Sequence, residues 1–120
     1  MRYMFLIYSK ETAGASPEEM QRVANGHRAV MEEADKRGVL RGADPLKATG
    51  TATTVRMRDG DAMITDGPFA ETKEQLAGYY ILDCRDLDEA IEWAKKIPTA
   101  CHGGEGCVEI RPMREFSSRG

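Results

Sequence analysis

The sequence predicts an α+β domain in which one antiparallel sheet carries two helices on the same face. Three observations lead there. Apolar strand-like runs and two amphipathic helical patterns follow one another in the order β-α-β-β-β-α-β. Both helical patterns open on capping residues, and an Asp-Gly turn fixes an antiparallel hairpin between them. With 120 residues, 41% apolar and 31% charged, the chain suits one domain able to bury a core unaided.

The first strand is Tyr3–Tyr8, apolar at odd and even positions alike, as in a strand covered on both faces. Helix 1 starts at Ser16-Pro17-Glu18-Glu19, where Ser16 is the N-cap, Pro17 suits the first helical position and Glu19 closes a capping box. Met20, Val23, Ala24, His27, Met31 and Ala34 form its apolar stripe, and Gly38 stops it. Val39-Leu40 opens a short extended piece that ends near Asp44-Pro45.

Ala52 to Asp66 reads as a hairpin around a type I′ turn at Asp59-Gly60. Counting outward pairs Arg58 with Asp61, Met57 with Ala62 and Val55 with Ile64, the last two pairs sharing a face. Asp66-Gly67-Pro68-Phe69 breaks the strand, Ala70–Leu76 is polar, and Gly78–Cys84 is a further apolar strand. Asp86 caps helix 2, whose stripe is Leu87, Ala90, Ile91, Ala94 and Ile97, with Trp93 beside it and Pro98 ending it. After a Gly-rich loop, His102–Gly106, the last strand runs Val108–Met113, and the tail 117–120 should fray.

This order suits a ferredoxin-like plan. Strands apolar on both faces need a cover on the side without helices, so a homodimer packed sheet to sheet is expected. The net charge of −3 with interleaved acids and bases argues against a nucleic-acid partner. The N-terminal apolar run is too short for a membrane span or signal peptide, and three cysteines fit reduced thiols, so a cytoplasmic protein with no membrane partner is expected.

His27, on the inward stripe of helix 1, is the first candidate acid or base, against the plainer reading of a half-buried core histidine. Asp66, at a strand end before a sharp turn, is either a site residue or the start of an Asx turn. Cys101, His102 and Cys107 match no common zinc spacing, and no phosphate loop or nucleophile elbow occurs. No metal and no cofactor are expected. Glu109 and Arg111 share one side of the last strand, where they would pair with each other, meet a partner or line an edge groove.

The run Asp66-Gly67-Pro68-Phe69-Ala70-Glu71-Thr72-Lys73-Glu74-Gln75-Leu76, followed by Gly78-Tyr79-Tyr80, resembles the signature of the DGPF branch of the YCII-related proteins. Tyr3–Tyr8, Thr51–Arg56 and Val108–Pro112 are similar to that branch too. The resemblance implies a dimeric α+β barrel of ferredoxin-like subunits. It also points toward small enzymes acting on ring-derived compounds, such as muconolactone isomerase and a dehydrochlorinase, or toward regulation beside alternative sigma factors. The family's proposed catalytic pair is a helix-1 histidine, matched by His27, and an aspartate after helix 2, where this chain has Ile97-Pro98.

Three functions follow. In an enzyme, His27 would move a proton, Asp66 would orient it, and Phe69, Glu71, Lys73 and Arg111 would contact a small anionic or ring-derived ligand, Lys73 or Arg111 steering its charge. In a binding or regulatory module, Asp66–Glu74 would be the contact surface. In a structural reading, Gly67-Pro68 turns the chain and Phe69 plugs the core.

Overall fold

The structure, a computed structural model, describes residues 1–11, 16–99 and 106–115. Its elements are β1 (Arg2–Ser9), α1 (Pro17–Lys36), β2 (Leu40–Pro45), a 3₁₀ turn (Thr49–Thr51), β3 (Thr53–Arg58), β4 (Asp61–Asp66), β5 (Gln75–Asp83), α2 (Leu87–Ala94) and β6 (Gly106–Pro112). Four strands form one antiparallel sheet in the order β2-β5-β1-β6, and β3-β4 form a separate two-stranded sheet. The fold is α+β and ferredoxin-like, with an inserted hairpin.

Pleating divides the four-stranded sheet. Tyr3, Phe5 and Ile7 of β1, with Tyr80 and Leu82 of β5, are buried together with Val30 and Ala34 of α1, Ala90 and Trp93 of α2, and Ile97. Both helices therefore lie on one face. The opposite face presents Met4, Leu6, Tyr79 and Ile81, all partly exposed, with Glu109 opposite Leu6 and Arg111 opposite Met4.

Helix 1 begins as its sequence dictates. Ser16 Oγ accepts from Glu19 N at 3.1 Å, and Glu19 Oε1 accepts from Ser16 N at 3.1 Å. Its stripe differs from the expected one. Val30 and Ala34 are buried, whereas Ala24 is exposed and Met20 is 55% exposed. The C-terminal half sits on the sheet and the N-terminal half overhangs it. Gly26 lies where an added Cβ would meet Pro98 Cγ at 2.7 Å, so α1 and the segment after α2 are in direct contact beside His27.

The α2 stripe is likewise rotated. Ala90, Trp93 and Ile97 are buried, while Leu87 and Ile91 are exposed. Trp93 determines this: its ring takes the core, and the cations of Arg37 and Lys96 stand over it at 4.9 and 4.8 Å. Glu33 holds both cations, at 3.1 and 2.9 Å. The α-helix ends at Ala94, four residues before Pro98, and tightens through Lys96 N to Trp93 O and Ile97 N to Ala94 O.

The hairpin has the register the turn dictates, Arg58 opposite Asp61, Met57 opposite Ala62 and Val55 opposite Ile64. Asp59 and Gly60 have φ of 51° and 84°, as a type I′ turn requires. Its separation from the main sheet starts at the 3₁₀ turn. Glu11 Oε2 accepts from Thr49 N at 2.7 Å and Oε1 from Thr49 Oγ1 at 2.6 Å, so the chain is drawn toward the end of β1 instead of continuing along an edge.

Candidate functional site

Between α1 and the sheet lies a cavity of about 430 Å³. Its roof is Met20, Val23, Ala24, His27 and Met31 of α1, and its floor is Ile7, Ala43–Pro45 and Ala77–Tyr80. The cause is side-chain size. Under the overhanging half of α1 the sheet carries Ala43 and Gly78, too short to fill the gap that Phe5 and Leu82 fill elsewhere. Gly78 has a second constraint: a Cβ there would lie 2.9 Å from Asp44 O and 3.2 Å from Pro45 Cα. The close approach of β2 to β5 thus excludes a side chain at the cavity floor.

His27 supplies the imidazole of this cavity. Its Nδ1 is 2.8 Å from the hydroxyl of Tyr80, which is also 3.3 Å from the His27 carbonyl, and the rings stack with centroids 5.8 Å apart. Burial pushes the His27 pKa below its ordinary value, so the ring is neutral at neutral pH. Burial pushes Tyr80 up to about 12, so its hydroxyl keeps its proton.

That one proton has two acceptors. If Tyr80 donates to the His27 carbonyl, Nδ1–H donates to the Tyr80 oxygen and Nε2 offers a lone pair. If Tyr80 donates to Nδ1, Nε2 carries the proton. Rotation of one hydroxyl exchanges a proton acceptor for a donor.

Asp44 and Tyr79 are opposite each other across β2 and β5, one residue out of phase with Ala43 and Tyr80. The pleat sends their side chains to the other face, where the Tyr79 hydroxyl donates to Asp44 Oδ2 at 2.8 Å. This contact raises the Tyr79 pKa. Asp44 and Tyr79 therefore border the cavity through their backbone.

The other sequence candidates lie apart from His27. Asp66 ends β4, exposed and opposite Thr53. Phe69 is 75% exposed, so it does not plug the core. Glu71 and Lys73 are exposed on the loop between β4 and β5, and Arg111 is exposed on β6, 3.9 Å from Glu109. None of the five borders the cavity. The Asp66-Gly67-Pro68-Phe69 segment instead closes the hairpin base. Gly67, at φ 94°, donates to Ala52 O at 2.7 Å, Thr54 Oγ1 donates to Gly67 O at 2.7 Å, and Arg56 donates to Phe69 O at 3.2 Å.

Cys101 and His102 lie outside the described residues, as do the Gly-rich loop through Glu105 and the tail from 116. Among the described residues no group of three or more His, Cys, Asp or Glu is placed to hold a metal. No described helix is long and apolar enough to cross a membrane. A second depression, about 460 Å³ over Trp93, is lined by charges. Several pair with one another or with neighbours, as in Arg85–Glu89, Lys95–Glu92 and the Glu33 pairs with Arg37 and Lys96.

An α+β chain of this topology, with an imidazole in a cavity under its first helix, defines the class of protein. The YCII-related domain family matches residues 1–117, and the chain belongs to that family. An uncharacterized protein of Rhizobium meliloti (strain 1021) is 40% identical over 115 residues, covering 94% of this chain and 92% of that protein.

Proposed function

We propose that this chain binds a small, mostly apolar organic molecule in the cavity under α1 and exchanges a proton with it through His27. One observation carries the reading: a neutral imidazole, held at Nδ1 by a hydroxyl that can either give or take, borders an otherwise apolar cavity. Tyr80 fills the orienting role that the sequence suggested for Asp66. No lysine or arginine borders the cavity among the described residues, so the lining selects for an uncharged body over an anion.

The test is an NMR screen of small uncharged aromatic and alicyclic compounds, read at the His27 ring and at the Met20 and Met31 methyls. Hits should shift all three signals, and Ala43→Phe, which fills the cavity, should abolish the shifts. Hits that survive Ala43→Phe unchanged would place binding elsewhere and end this reading.

We also propose that two copies pack through the sheet face without helices, because Leu6, Tyr79 and Ile81 there are apolar or aromatic and partly exposed on the side that carries neither helix. Sedimentation equilibrium should give a dimer at micromolar concentration that Leu6→Lys weakens.

A further inference from the structure

The β3-β4 hairpin is out of proportion to its support. Val55, Met57 and Ile64 share one of its faces and are 58%, 67% and 69% exposed, with Ala62 completing the apolar surface. A two-stranded hairpin alone in water is marginally stable, and this one sits outside the four-stranded sheet.

The geometry points to the hairpin as an arm that lies across a second copy of this chain, its Val55–Met57–Ala62–Ile64 face covered by the partner. This rests on the sheet-face dimer proposed above. The area needed argues for a second copy. Four strands about 4.8 Å apart and about 23 Å long give a sheet contact burying about 900 Å² over both copies, short of the roughly 1,200–2,000 Å² of a stable interface. Each arm, about 20 Å long and two strands wide, adds to both sides of its contact and brings the total to about 1,700 Å².

Two-fold symmetry uses each arm once, so both apolar faces are covered by the same operation. The charges suit this placement. Arg58, Asp59 and Asp61 gather at the tip, which stays in water while the apolar shaft is buried.

The test pairs sedimentation equilibrium with dilution of protein labelled at its methionine methyls. In Val55→Asp/Ile64→Lys the two residues still face each other, so a cross-strand ion pair keeps the hairpin closed while its apolar face is lost. The dimer Kd should rise at least tenfold, and in the parent protein the Met57 methyl signal should move as dilution passes through Kd. An unchanged Kd with an unmoved Met57 signal overturns the arm; if Leu6→Lys still weakens the dimer, the sheet contact stands without it. A parent protein that stays monomeric at about 100 μM overturns both.

Discussion

Tyr80 holds one proton between two acceptors, so its loss should register in two ways. Tyr80→Phe removes a buried hydrogen bond and should cost about 1 kcal/mol. It should also free the imidazole to exchange tautomers, visible in the ¹⁵N shifts of His27; unchanged shifts would mean that Tyr80 does not set the tautomer. Acid should act through His27 as well. Its folded pKa lies below the ordinary 6.5, so just below that pH the unfolded chain binds a proton the folded chain refuses. Stability from this residue rises with pH through that interval and levels off above it. His27→Gln should lessen the difference in urea midpoint between about pH 5.5 and 7.5, and an undiminished difference would assign the effect elsewhere. The place of His27 on an inward helical stripe was legible in the sequence. Its partner was not, because which hydroxyl meets Nδ1 depends on which strand lies beneath α1.

Helix 2 shows what helical spacing leaves open. Leu87, Ala90, Ile91, Ala94 and Ile97 form an apolar pattern, but an eight-residue helix can roll, and the bulk of Trp93 turns the buried line to Ala90, Trp93 and Ile97. Trp93→Ala should therefore cost about 3–5 kcal/mol, and Leu87→Ala under about 1 kcal/mol. Comparable losses by chemical denaturation would restore the line through Leu87. The hairpin was the most legible element, since Asp59-Gly60 fixes the turn and pairing follows by counting. The gap under α1 was not legible, for it requires knowing that Ala43 and Gly78 lie beneath the same helical turns. Gly78→Ala should drive β2 away from β5 at a cost of about 1–3 kcal/mol, measurable as a lower urea midpoint with broadened signals from Asp44 and Pro45. An unaltered midpoint would mean that the strands have room to spare.

For the molecule as a whole, the alternation of strands and helices led to the correct fold class, one core and both helices on one side. The sequence pattern did not separate the hairpin from the sheet, because that depends on Glu11 gripping Thr49 across 38 positions of chain. Ile97, just after α2, is buried in the core, a position where a carboxylate would need solvent or a partner.

The hairpin leaves the fold at Ala52 and returns at Gly67, and a single hydrogen bond joins those two points. Everything between them is an insertion that the β2-β5-β1-β6 order does not require. Selection can then act on the two parts separately: the core keeps the cavity, while the insert can lengthen, shrink or change its chemistry without disturbing it. In laboratory terms, Ala52 and Gly67 mark a graft site where a foreign loop could replace 53–66 and the His27 cavity would remain.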